Sequence, residues 1–469
     1  MSAPVVTLLG PSHSFRLFRS YCPFCSFRPF RLARWSHSFR QSCSFRSFRP
    51  SRSHPEVPPM PIIRDAQTAV RLARRLLRSR QSRRDLARRL PGHPPLAPGS
   101  VEVAVYFADA PVNMYQIRQW YAPLAELAAE HPVAIVSRNP GTMLALLDEA
   151  PVPVVYARQV VDLERFVDEQ APKIVLYVNQ NARNFQMMRY GRMWHVFVNH
   201  GESDKMYMTT NQFKAYDYAL IAGDAARDRL SDALWDYDLD ARTIAIGRPQ
   251  ADHFAGAVPY PEDDRIVVLY APTWEGDRPA AAYGSIASHG VTLAERLLAS
   301  PRHRLVYRPH PRRGVLDPAY RAAHERIVAA IAAANAADPS AQHVHDDGPE
   351  LGWQLADADV AITDISAMIY DRLAVGKPLI VTRPVAGEAD VDERGYLADA
   401  NWLTAADAVD VVARVDAAAH DDAELAKLRH WVDRYFGDTT PGAATARLHA
   451  AIDRLVARWH EVAAERGER

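Results

Sequence analysis

From residue 101 onward, short apolar runs alternate with stretches long enough to be helices. Strands are expected at 101–108 (VEVAVYFA), 133–138, 152–157, 173–178 (KIVLYV), 195–199 and 218–222. A second series is expected at 243–247, 265–271 (RIVVLYA), 304–308, 359–363 and 378–382. Helix-length segments separate many of these runs, as the crossovers of parallel βαβ units require. Two such series, joined near 225–245, predict an α/β chain of two doubly wound Rossmann-like domains facing a cleft. The domains are set at 100–235 and 236–440, with a closing helix in 441–469.

Upstream the pattern changes twice. Over 62–90, Ile62, Ala66, Ala69, Val70, Ala73, Leu76 and Leu77 recur every three or four residues, and arginines crowd the positions between them. This is a basic amphipathic helix, of the kind that lies on an anionic membrane surface or docks on the protein's own acidic body. A Pro-rich linker follows, so 60–99 forms one unit. Residues 1–59 are built on Ser-Phe-Arg, at 14–16, 26–28, 38–40, 44–46 and 47–49. That spacing fits neither a helix nor a strand, and such sequence buries no core. It is expected to be a disordered basic arm, with Met60 as the functional start.

Charge sharpens this division. The 469 residues sum to zero, yet residues 1–90 hold 19 arginines against three acids, which leaves +16 there and −16 on the remainder. A basic arm on an acidic body points to an anionic surface as partner. Nucleic acid is the weaker candidate, because no binding motif accompanies the arginines. All three cysteines (Cys22, Cys25, Cys43) precede residue 45, so thiol or zinc-ribbon chemistry has no residues in the body. With no HExxH and no tight carboxylate cluster, neither a protein-held metal nor a tightly bound cofactor is expected. No apolar stretch is long enough to span a bilayer. The chain is therefore expected in the cytoplasm, peripheral at the inner face of the membrane.

Ligands of open α/β sheets bind at the carboxyl ends of strands, so polar residues there are the candidates for chemistry. Four such ends stand out. Asn199-His200-Gly201-Glu202-Ser203-Asp204-Lys205 follows one strand, and Pro272-Thr273-Trp274-Glu275 follows another. Arg308-Pro309-His310-Pro311-Arg312-Arg313 places a histidine among three guanidiniums. Thr363-Asp364-Ile365-Ser366 runs into a helical segment at 367–375, where Ser366 can cap the helix and present its amides to a phosphate. Two histidines, several arginines and a helix N-terminus suit an anionic donor and a hydroxyl that must lose a proton. P-loop and GxGxxG motifs are absent.

The order of these motifs, with Gly247-Arg248-Pro249, Lys377-Pro378 and Arg394-Gly395-Tyr396, resembles the CDP-glycerol glycerophosphotransferase family, the enzymes of teichoic-acid-like polyol phosphates. The resemblance implies a GT-B architecture, with acceptor bound by the first domain and a CDP-polyol by the second. It implies His200 as base on the acceptor hydroxyl and His310, with Arg308 or Arg312, steadying the donor phosphates as CMP leaves. Thr273, Asp364 and Ser366 are expected to hold donor, with Gly201 and Lys205 at the cleft. A magnesium ion carried by the donor pyrophosphate is compatible with this. The acceptor is expected to be lipid-linked or a cell-wall glycan. Three positions depart from the family pattern and leave the polyol open: Ile365-Ser366-Ala367 where the family often has tyrosine and two serines, Gln250 in its GxPRxD stretch, and Asn199 in place of a tryptophan. The alternatives are a GT-B glycosyltransferase using a nucleotide sugar, and a non-catalytic glycan-binding module.

Overall fold

In a computed structural model the described residues are 77, 79–202, 209–348, 351–392 and 394–467. The expected disordered arm, the cysteines, Met60, most of the basic segment and Lys205 lie outside them.

Strands β1 (Val103–Phe107), β2 (Val133–Ser137), β3 (Val154–Tyr156), β4 (Ile174–Tyr177), β5 (Trp194–Phe197), β6 (Tyr218–Ile221) and β7 (Thr243–Ala245) form one parallel sheet in the order β3-β2-β1-β4-β5-β6-β7. Strands β8 (Ile266–Ala271), β9 (His303–Tyr307), β10 (Val344–His345), β11 (Val360–Thr363), β12 (Leu379–Thr382) and β13 (Trp402–Leu403) form a second, β10-β9-β8-β11-β12-β13. Every pairing is parallel. The expected α/β class with two doubly wound, Rossmann-like sheets is what the chain forms.

Side chains of one strand feed both faces of its sheet. Val103, Val105 and Phe107 join one apolar cluster, while Ala104 and Tyr106 join the other. The second sheet divides likewise, Val267 and Leu269 to one face and Val268 and Tyr270 to the other. A sheet apolar on both faces needs helices on both, which the crossovers supply. One correction concerns 243–247, expected to open the second series. Its strand instead pairs with β6 and closes the first sheet. Strands β10 and β13, two residues each, were not anticipated.

The closing helix, Ala443–Glu465, packs Leu448, Ile452 and Leu455 into the core of the first sheet. Trp194 donates its indole N–H to the Leu455 carbonyl at 3.0 Å. At the chain's other end, 79–89 is helical, Leu86 is buried, and Arg89 pairs with Asp148 at 2.6 Å. This end of the basic segment therefore docks on the body. No helix among the described residues is long and apolar enough to cross a membrane.

Candidate functional site

Each sheet reverses its strand order once, between β1 and β4 in the first and between β8 and β11 in the second. Loops diverge there and leave a crevice. Both crevices are braced the same way, by a residue following one strand bonded to a residue following its neighbour. After β1 and β4, Asn179 Nδ2 donates to Asp109 at 2.7 Å. After β8 and β11, the Thr273 N–H donates to Asp364 at 2.7 Å.

The first crevice opens into a cavity of about 620 Å³ that His200 lines. Asn199 has a φ of +55° and turns the chain out of β5. Its carbonyl accepts the Trp120 indole N–H at 2.5 Å. The turn therefore rests on Asn199 rather than on Gly201, where an added Cβ would meet nothing nearer than the Arg248 guanidinium at 3.8 Å. His200 Nδ1 lies 3.0 Å from the Val178 carbonyl. A carbonyl can only accept, so Nδ1 carries the proton and Nε2 holds a lone pair in the neutral ring. Burial, reinforced by Arg248, lowers the His200 pKa against the opposing pull of the Val178 bond and Asp109. That direction favours the neutral ring.

The cavity wall is rich in amides. Asn113, Gln116, Asn179, Gln180, Asn181, Asn199 and Gln212 all line it. Asn179 is the hub, because its Nδ2 also reaches Gln116 Oε1 at 2.7 Å and its Oδ1 accepts from the Asn181 N–H at 3.2 Å.

In the second crevice, His310 follows β9 and its N–H bonds the Pro272 carbonyl at 3.0 Å. Here Nδ1 accepts the Arg312 backbone N–H at 3.1 Å. That fixes the opposite tautomer from His200, with the proton on Nε2. Burial, with Arg312 and Arg313, lowers this pKa too, against Glu275. The ring stacks on Trp274 with centroids 6.3 Å apart, and the exposed Arg312 guanidinium lies 3.7 Å from the same indole. Trp274 is thus a platform shared by two polar groups. Glu275 shapes the loop by accepting the N–H groups of Gly314, Leu316 and Asp317 at 2.9, 2.6 and 3.1 Å. Burial raises its pKa, but those amides outweigh it and hold the carboxyl below its ordinary range.

The remaining expected site residues divide. Ser366 caps helix Ala367–Val375, accepting from the Met368 N–H at 3.3 Å. Arg308 is engaged by Asp346 and the Gly348 carbonyl, so it braces the sheet edge while Arg312 stays at the crevice surface. Asp364 is fully buried, and it accepts from the Thr273 N–H, the Ser285 N–H and the Thr382 hydroxyl. In that placement it braces the loops beneath the crevice. Among the described residues no group of three or more His, Cys, Asp or Glu side chains converges as a metal site would.

Sequence reading missed two features. Asn179-Gln180-Asn181 directly follows an apolar run, the same signal that singled out His200. Arg248 pairs with Asp371 across 123 residues of chain, and no local pattern announces it.

Among solved structures, the wall teichoic acid polymerase TagF soaked with CDPG is 12% identical, with 85% of this chain and 99% of that one covered at a TM-score of 0.49. A UDP-GlcNAc 2-epimerase from Neisseria meningitidis bound to UDP-GlcNAc is 13% identical, covering 76% and 99% at 0.49. A glycosyltransferase from Rickettsia africae is 13% identical, covering 76% and 99% at 0.44. No curated protein matches the chain by sequence. The model of the family described as CDP-Glycerol:Poly(glycerophosphate) glycerophosphotransferase matches residues 199–453, more than half of the chain and a span that takes in both histidine loops, and the chain belongs to that family.

Proposed function

We propose that this glycerophosphotransferase moves a glycerol-phosphate unit from CDP-glycerol to a hydroxyl of a lipid-linked or cell-wall glycan acceptor and releases CMP. The observation that carries the reading is the pair of opposed tautomers. His200 offers a lone pair at Nε2, and His310 offers an N–H at Nε2. The acceptor oxygen attacks the phosphorus that bears glycerol, and its proton passes to His200 Nε2. The bond from that phosphorus to the bridging oxygen breaks, and the electron pair leaves with CMP. His310 Nε2–H and Arg312 offset charge on the phosphoryl oxygens, with the amides opening helix Ala367–Val375 as a further anion seat. The arginines of the basic segment 62–90 that precede its docked end would hold the chain at an anionic membrane surface, a role supported by their number.

Donor-dependent nucleotide release tests the reaction. CMP from CDP-glycerol, with no nucleoside diphosphate from UDP- or GDP-sugars, is the expected result. Sugar transfer with release of a nucleoside diphosphate would move the chain to the glycosyltransferases.

A further inference from the structure

The described wall of the cavity beside His200 is made mostly of uncharged polar side chains. A carboxamide offers two N–H donors and a carbonyl acceptor, so it pairs with a hydroxyl in either sense. Seven carboxamides line this cavity, together with the Thr210 hydroxyl and the Phe197 ring. Recognition of a phosphodiester chain is favoured by the reverse, a wall with guanidinium and ammonium groups. Among the described residues neither lysine nor arginine lines the cavity, and the carboxylate there is Asp109. Asp109 is fixed in place, accepting from Asn113 Nδ2 at 3.0 Å and Asn179 Nδ2 at 2.7 Å. Neighbouring cations have hydrogen-bond or ion-pair partners of their own. Arg248 pairs with Asp371, and Arg183 directs Nη1 to the Ala108 carbonyl at 3.3 Å.

We infer that the acceptor end bound beside His200 is a neutral polyhydroxyl group, a sugar or free polyol, and not the anionic end of a growing poly(glycerophosphate) chain. This rests on the reading of His200 as the base that meets the acceptor. Carboxamides select the acceptor by its hydroxyls, and Asp109 rejects a terminal phosphodiester by like charge. The family's description names a polyanionic acceptor. In this chain the wall suits the first addition to a glycan, or decoration of one, rather than polymerisation.

The test uses the full chain, CDP-glycerol, and two alkyl disaccharide acceptors that differ by one terminal glycerol phosphate. CMP release and product mass are measured for each. The neutral acceptor should be preferred by on the order of tenfold in kcat/KM. Asp109→Asn should narrow that preference several-fold by lowering KM for the anionic acceptor. Gln116→Lys, which adds a cation to the wall, should narrow it independently. Faster transfer to the anionic acceptor, or a preference unmoved by both variants, overturns the inference while leaving the transferase reading intact. Absence of CMP release with either acceptor overturns the transferase reading, and the inference with it.

Discussion

Arg248 and Asp371 form an ion pair 2.5 Å long that joins the two sheets, with both residues at most 7% exposed. Arg248 follows β7 of the first sheet, and Asp371 lies in the helix that Ser366 caps. The guanidinium also backs Gly201 and depresses the His200 pKa. The pair therefore connects the proposed donor helix to the proposed base. Two charges buried together tolerate joint removal far better than loss of one. Arg248→Met should cost about 3–5 kcal/mol by leaving Asp371 buried alone, and Arg248→Met with Asp371→Leu should recover most of it. Denaturant melts of the three proteins check this.

The pH profile follows from the same neighbourhood. Because burial and Arg248 lower the His200 pKa, the acid limb of kcat should fall below the ordinary histidine pKa of about 6.5. Removing the Arg248 charge in the double variant should move that limb to higher pH. An unmoved limb would assign it to another group.

Much of this was legible in the sequence, for identifiable reasons. Central strands such as 173–178 read correctly because both faces are buried and the run is apolar throughout. The strand at 243–247 was placed in the wrong sheet, since the pattern marks a strand without saying which neighbour it pairs with. His200 and His310 stood out because polar residues abruptly follow apolar ones. Arg308 and Arg312 look equivalent in sequence, and the difference between them comes from Asp346, 38 residues away. The donor role expected of Asp364 came from the family resemblance, which says nothing of its burial. Here two backbone N–H groups from other loops converge on it.

Asp364 gives a stability prediction. Burial pushes its pKa up to about 6, despite its hydrogen bonds from Ser285, Thr382 and Thr273. A raised carboxyl favours the neutral form in the fold, so its stabilising contribution is complete below the ordinary aspartate pKa. It is lost as pH rises from about 4 to about 6. Relative to Asp364→Asn, the native chain should therefore lose stability across that window. Unfolding free energies at several pH values decide it, and a constant difference would contradict the assignment.

The Trp274 platform predicts a donor effect. Arg312→Ala removes a guanidinium stacked 3.7 Å from the ring, and should weaken CDP-glycerol binding by about 1 kcal/mol or somewhat more. Arg312→Lys should restore this only partly, since an ammonium lacks the planar face. Calorimetric titration with CDP-glycerol measures both, and full recovery in the lysine variant would point to charge alone.

The central claim is that His200 Nε2 takes the acceptor proton. The measurement that tests it most directly is CMP release by His200→Ala under saturating CDP-glycerol and acceptor, paired with donor titration of the same protein. The account predicts a folded protein with near-native donor affinity and turnover reduced on the order of 10²–10⁴-fold. Near-normal turnover in a folded, donor-binding His200→Ala protein would contradict it.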